Sequence, residues 1–274
     1  MKSFEYATAL APESARELVG DHGAYIAGGN DLLGLLKDYL VSPDILVNIK
    51  SLPAMGSIEA GKDKWTIGAL VKIADLENNS HIRTVFPGIH EAAMEIASPQ
   101  IRNVATVGGN LAQHSRCWYF RHRDTVCLKK GGDLCYARES ENRYHSLFTG
   151  NTCISPVVSS LAPVFATLDA RAIVLRDGKE IPMTMAQLYE RAWENPLAHN
   201  SLEPGDLIVR VEIPTVRNRS TYMQAIDVGP TITGYDVLPP GESGFINASG
   251  QPSPHLCDQV GLFNSFRYKP MPPA

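Results

Sequence analysis

Four of the chain's five cysteines, Cys117, Cys127, Cys135 and Cys153, fall within 37 residues, and the first hundred residues contain none. A disulfide framework spreads over a small secreted domain, whereas such clustering in a chain of 274 residues points to a metal or cluster site. The gaps of nine, seven and seventeen residues lack the close C-x₂₋₄-C pairs of a zinc finger and the tight C-x₂-C runs of a bacterial ferredoxin. Loop-borne thiolates need not be sequence neighbours, so a [4Fe–4S] cluster, a zinc ion and four unliganded thiols all stay open on spacing. Arg116, Arg121, Arg123, Lys129, Lys130 and Arg138 lie among the cysteines, and such cations favour thiolates and offset a cluster's negative charge. His114, His122 and His145 are alternative ligands, although a histidine is more often a surface or core residue.

Two glycine pairs form the second candidate site. Ile26-Ala27-Gly28-Gly29-Asn30-Asp31-Leu32 sits between an apolar run and a helical pattern, and adjacent glycines turn the backbone sharply with its N–H groups uncovered. The helix expected from Asn30 or Asp31 would direct its positive end toward a pyrophosphate. Thr106-Val107-Gly108-Gly109-Asn110 places a hydroxyl and an amide beside the second pair. Neither matches the G-x-G-x-x-G fingerprint, and no P-loop lysine follows. On residues alone this is a phosphate-binding option set against two ordinary turns.

The elements that must position these residues read as α+β. A β-α-β unit occupies the first fifty residues: a helix over Pro12–Val19 ending at Gly20, a short strand over 24–27, a helix over Asp31–Leu40 with Leu32, Leu33, Leu36 and Leu40 on one side, and a strand over 45–49. Then come a strand at 65–69, helices at 73–78 and 86–97, a glycine-rich stretch at 104–110, the cysteine segment, a helix at 157–168, a strand at 171–176, a helix at 185–192 and a strand at 207–213. We therefore expect a first subdomain over 1–55, a second over 56–224 with a cysteine-rich insertion at 111–155, and a tail over 225–274. The last fifty residues hold eight prolines and six glycines, which favours an irregular arm over a packed domain.

Composition excludes several partners. A net charge of −4 gives no electrostatic footprint for nucleic acid or an anionic membrane. No apolar run approaches the roughly 18 residues of a membrane span. The N-terminus lacks a basic region followed by an apolar core. The expected compartment is the cytoplasm, or the periplasm by export with a signal-bearing partner.

Taken together, the motifs resemble a known family. Ala27-Gly28-Gly29-Asn30-Asp31-Leu32 resembles the A-G-G-T-D-L motif of the flavin subunits of the xanthine dehydrogenase and carbon monoxide dehydrogenase (molybdenum hydroxylase) family. The run from Pro99 to Leu111 is similar to that family's second flavin motif, and Ser160-Leu161-Ala162-Pro163 stands where the family has S/A-D-L-A-P. The segment of some fifty residues between Asn110 and Leu161 resembles the insertions of 4-hydroxybenzoyl-CoA reductase and periplasmic-type aldehyde oxidoreductases, which carry a [4Fe–4S] cluster.

This resemblance implies a vanillyl-alcohol-oxidase-like (PCMH) fold of two subdomains with FAD between them. By analogy, Ile26, Ala27, Gly28, Gly29, Asn30, Asp31 and Leu32 wrap the pyrophosphate. Thr106, Gly109 and Asn110 contact FAD nearer the flavin, Ser160 and Leu161 lie by the ring system, and Cys117, Cys127, Cys135 and Cys153 hold the cluster. It implies a molybdenum-cofactor large subunit that oxidises an aldehyde or an N-heterocyclic or aryl substrate, a [2Fe–2S] small subunit, and an external electron acceptor. The rival expectation is an assembly subunit without FAD, or one stabilised by zinc. Two departures stand out. Ser160 replaces an aspartate, and the sequence after Ser220-Thr221-Tyr222 does not resemble the family's third domain.

Overall fold

The computed structural model describes residues 1–53, 55–142, 145–146, 152–155 and 157–215, together with two short strands at 223–224 and 264–265. The first sheet is parallel, in the order β1 (Glu5–Thr8), β3 (Ile45–Asn48), β2 (Ala24–Ile26), with Tyr6 and Ala24 both opposite Leu46. Parallel neighbours need crossovers. These are α1 (Pro12–Val19) and α2 (Leu32–Lys37). Pro12 presets the first turn of α1, and Gly20 ends it at φ +54°, a conformation costly for a side chain with a Cβ. Ala15 and Val19, one turn apart, are the residues it buries.

The helix expected over Asp31–Leu40 is shorter than its leucine pattern suggested. It stops at Lys37, and Tyr39 takes a left-handed φ of +57° that a helix cannot continue through. Its buried face is also different: Leu35 and Leu36 turn inward, and Leu33 is left largely exposed.

The second sheet is antiparallel, in the order β4 (Ile58–Ala60), β5 (Lys64–Gly68), β8 (Leu207–Pro214), β6 (Arg171–Arg176), β7 (Lys179–Thr184). Interior strand β6 buries Ala172 through Leu175 without alternation, so both of its faces are covered. Both edge strands escaped the sequence reading because neither carries an apolar run. Pro182 is tolerated in β7 because an edge strand needs no donor on its outer side. On β6 and β7 packs α11 (Met185–Glu194), which meets α10 (Leu161–Thr167); α10 in turn packs on α5 (Pro87–Glu95), and α5 on α3 (Ile73–Asn78) and α4 (Ser80–Val85). One continuous core runs from Ala15 of α1 and Val47 of the first sheet to Phe86 before α5, Phe165 of α10 and Val211 of the second sheet, with Trp65 and Phe86 edge to face at 5.5 Å.

The other described helices are α6 (Pro99–Arg102), α7 (Val107–Ala112), α8 (Trp118–Arg121), a 3₁₀ turn at Leu128–Lys130 and α9 (Tyr136–Glu139). Leu35 of α2 packs with Phe120 and Cys127 in a small second core, which fastens the cysteine segment to the first layer. Of the expected tail, only Asn264–Ser265 (β10) is described, antiparallel to Met223–Gln224 (β9); the rest, with Cys257, lies outside the described residues.

Candidate functional site

The two glycine turns meet. A Cβ on Gly28 would stand 2.9 Å from the Val104 carbonyl carbon and closer still to its oxygen, so the first turn lies directly against the chain leading into the second. Gly29 needs its left-handed φ of +73°, and Asn30 Nδ2 donates to the Ile101 carbonyl at 3.3 Å. Gly108 sits so close to Ala69 that a Cβ would come within 2.9 Å of the alanine methyl. Contrary to the expected loop, Gly108 and Gly109 belong to the first turn of α7. Thr106 caps that turn, its hydroxyl accepting from the Gly109 N–H at 3.2 Å.

Between the turns is a cavity of about 890 Å³. That falls within the roughly 300–1,000 Å³ usual for small-molecule and cofactor sites. Ile26 through Leu32, Thr106, Gly109, Asn110 and Ser160 all line it. Leu161 does not. It is wholly buried in the core, with its N–H directed at Asn110 Oδ1 at 3.4 Å. Asn110 is itself mostly committed internally, since the same oxygen accepts from the Ser159 hydroxyl at 2.7 Å and so ties α7 to the start of α10. Arg102, within the second glycine motif, also turns inward: it donates twice to Glu77, at 2.8 and 3.1 Å, and to the carbonyls of Ile96 and Ala97. It is a brace for the 96–102 turn.

Sequence reasoning missed several cavity walls. His114 and Arg116, considered only with the cysteines, line this cavity as well, and so do Ala97, Gln113 and Val158. Only the adjacency of 114–116 to the second glycine motif hinted at it. The reason is Asp31, whose carboxylate accepts from Arg121 Nη2 at 2.6 Å and from the His114 N–H at 2.9 Å, with Arg116 Nε at 3.5 Å. Arg121 also donates to the carbonyls of Ser115 and His114. The helix begins at Leu32, with Asp31 as its N-cap residue making no cap hydrogen bond, and the carboxylate instead holds the cysteine segment against the first turn.

The cysteines converge too. Cys117, Cys127, Cys135 and Cys153 line one small cavity with Phe120, Lys129 and His145. Its free space is about 20 Å³. That is room for about one water, so an iron–sulfur cage would have to spread the segment. No group of three or more His, Cys, Asp or Glu side chains among the described residues is arranged to hold a single ion. A cage spaces its four thiolates more widely than one zinc ion does. Burial pushes the Cys117 thiol up to about 11 and raises that of Cys153, so their thiolates need a nearby positive charge. His145 is 4% exposed, and neither ring nitrogen has a hydrogen-bond partner among the described residues. An orphaned imidazole on a wall shared with four thiols is a polar group waiting for something to bind. By their chemistry four thiols and an imidazole are donors of the kind a metal–sulfur group takes, although the cavity admits one only if the segment moves apart.

The two cavities are neighbours. His114, on the wall of the larger, stacks on His199 with ring centroids 3.9 Å apart and 7° between planes; His199 meets Phe120, on the wall of the smaller, at 5.0 Å. Burial lowers both imidazoles, His114 to about 4 and His199 to about 2; near His114 the Asp31 carboxylate opposes this and Arg121 reinforces it.

A mixed two-sheet fold with a large cavity bounded by two glycine turns defines an FAD-binding domain of the type found in molybdenum-containing oxidoreductases. Residues 2–216 match the family described as "FAD binding domain in molybdopterin dehydrogenase", and the chain belongs to it. It is 32% identical to the aldehyde oxidoreductase FAD-binding subunit PaoB of Escherichia coli (strain K12), over 91% of this chain and 82% of that protein. That match therefore runs beyond residue 224 into the tail. It is 34% identical to the carbon monoxide dehydrogenase medium chain of Hydrogenophaga pseudoflava over 40% of this chain and 39% of that one. Among solved structures, chains of quinoline 2-oxidoreductase from Pseudomonas putida 86 and of the Cu,Mo-CO dehydrogenase share the fold, each with a TM-score of 0.59 at 20% identity. This chain covers 64% and 63% of their lengths.

Proposed function

We propose that the chain is the FAD- and [4Fe–4S]-binding electron-transfer subunit of a multi-subunit molybdenum-dependent oxidoreductase. On this reading a partner with a molybdenum cofactor oxidises an aldehyde or an N-heterocyclic or aryl substrate. A [2Fe–2S] partner delivers the electrons to this chain, and they leave to an external acceptor. The observation that carries it is the 890 Å³ cavity walled by both glycine turns. The similarity to PaoB over 91% of this chain supports the aldehyde end of the substrate range.

Ile26 through Leu32 would hold the pyrophosphate, where the bare backbone at Gly28 and Gly29 allows close approach. Thr106, Gly109, Asn110 and Ser160 would bound the flavin half. FAD, when bound, couples single-electron delivery to two-electron transfer, and the protein contributes position and potential. Ser160 leaves this wall without the aspartate charge of the family motif. Cys117, Cys127, Cys135 and Cys153 would ligate the cluster, which supplies a one-electron redox centre beside the flavin. Asp31 and Arg121 hold the two sites together.

The test is composition. The complex purified through this chain should contain one flavin, four irons and acid-labile sulfide per copy beyond the [2Fe–2S] complement, and molybdenum on a co-purifying subunit. A colourless, flavin-free complex would sink the FAD assignment, and zinc without extra iron or sulfide would sink the cluster.

A further inference from the structure

We infer that Lys129 and His145 are the nitrogen donors on the wall of the sulfur cage, an ammonium and an imidazole N–H directed at its sulfurs, and so raise the potential at which the cage accepts an electron. This rests on the cluster reading above and deepens it.

Seven cations occur in the cysteine segment, six of them among the described residues, and the fold sets one of those six apart. Lys129 is 5% exposed and lines the cysteine cavity, whereas Arg116, for example, opens toward solvent with its side chain 59% exposed. Lys130 is turned away, its ammonium donating to the carbonyl of His122 at 2.7 Å. Lys129 Nζ spends one donor on the Ala198 carbonyl at 2.7 Å, and an ammonium has three. Among the described residues no carboxylate pairs with it, and the charge neighbours it faces are the thiols of Cys153, Cys127 and Cys117. A buried ammonium without a counter-ion is costly, and anionic thiolates and sulfides on the same wall would supply one.

His145 makes the complementary case. It is held by its own N–H to the Asn142 carbonyl at 2.8 Å and by the perpendicular face of Trp118, with ring centroids 4.8 Å apart. Among the described residues neither ring nitrogen meets the geometry of a hydrogen bond on the cavity wall. A neutral imidazole carries one N–H, and a sulfide or thiolate accepts it.

The direction of the effect follows from charge. Accepting an electron adds one negative charge to a cage that already carries several. A fixed cation and an N–H donor stabilise that added charge more than they stabilise the oxidised form, so the potential rises. Four thiolates without these two groups would give a cage harder to reduce.

The experiment uses the intact complex. Iron and sulfide are counted first, because a wild type without the extra four irons defeats the cluster reading itself. With iron present, the midpoint potential of the cluster is measured by redox titration followed by electron paramagnetic resonance. Lys129→Met and His145→Phe should each shift it to lower potential, while Lys129→Arg and His145→Gln, which keep a cation and an N–H donor, should stay near wild type. Unchanged potentials in the Met and Phe variants overturn the inference. If those two lose iron but the Arg and Gln variants keep it, charge and donor are required at the cage and the inference stands. If all four lose iron, the residues serve packing and it fails.

Discussion

The contact between Asp31 and Arg121 joins residues ninety positions apart and should couple the glycine turn to the cysteine segment. Asp31 Oδ1 meets Arg121 Nη2 at 2.6 Å, and Oδ2 takes the His114 N–H. The two side chains are 17% and 18% exposed, so water screens them only partly. Fully buried pairs lose about 3–5 kcal/mol when one partner is removed, and exposed pairs about 0–1 kcal/mol. Hydrogen bonds to charged groups contribute about 1.5–3 kcal/mol, which suits this intermediate exposure.

Asp31→Asn keeps the shape and removes the charge, leaving an amide N–H₂ facing donors. We expect a loss of about 2 kcal/mol. In a domain of this size that lowers the melting temperature by roughly 4–8 °C. Arg121→Gln should cost a similar amount. Because both variants break one contact, the double variant should cost well short of the sum, with a coupling energy of at least about 1 kcal/mol. Denaturant unfolding of the full chain with its flavin provides the cycle, and flavin dissociation measured by fluorescence provides a second readout. Losses additive to within about 0.5 kcal/mol would show that the two segments are held independently and would refute the coupling.

Gly28→Ala forces a methyl into the Val104 backbone, which cannot give way as a side-chain tip would. Overpacking costs about 1–3 kcal/mol, and the flavin should be retained about tenfold less well; unchanged flavin content after gel filtration would contradict this. Asp206→Ala removes the partner of Arg176, which donates to it at 2.6 Å while the Asp206 side chain is 2% exposed. The cost should reach about 3 kcal/mol in chemical denaturation, and a loss under about 1 kcal/mol would reassign the pair to the surface class. Acidification should destabilise the segment joining the two cavities. The folded values of His114 and His199 lie below the unfolded 6.5, so their stabilisation is complete above about pH 6.5 and falls as pH drops toward 4. Each group adds up to about 1.4 kcal/mol per pH unit to that slope. Urea titrations at pH 7 and pH 5 would show it, and a His199→Phe variant with an unchanged slope would remove the imidazoles from the account.

What the sequence determined by itself was local. Pro12–Val19, Ile73–Asn78 and Arg171–Arg176 could be read to the residue, because proline, glycine, spacing and unbroken apolar runs mark them without help from elsewhere. The glycine pairs and clustered cysteines were likewise visible as residue types at unusual spacing. The edge strands β4 and β7 were not, since a strand paired on one side and wet on the other carries no apolar signature. Nor was the early end of α2, which turns on the left-handed Tyr39. Only the tertiary structure decided which polar atoms are spent inside the protein and which face a cavity. Asn110 and Arg102 stand in the second glycine motif, yet both spend their side chains inside the protein, Asn110 on Ser159 and Arg102 on Glu77. Lys129 and Lys130 are neighbours, yet one faces four thiols and the other the surface. Direction is set by contacts made many residues away, such as Asp31 with Arg121, and no local pattern encodes such a contact.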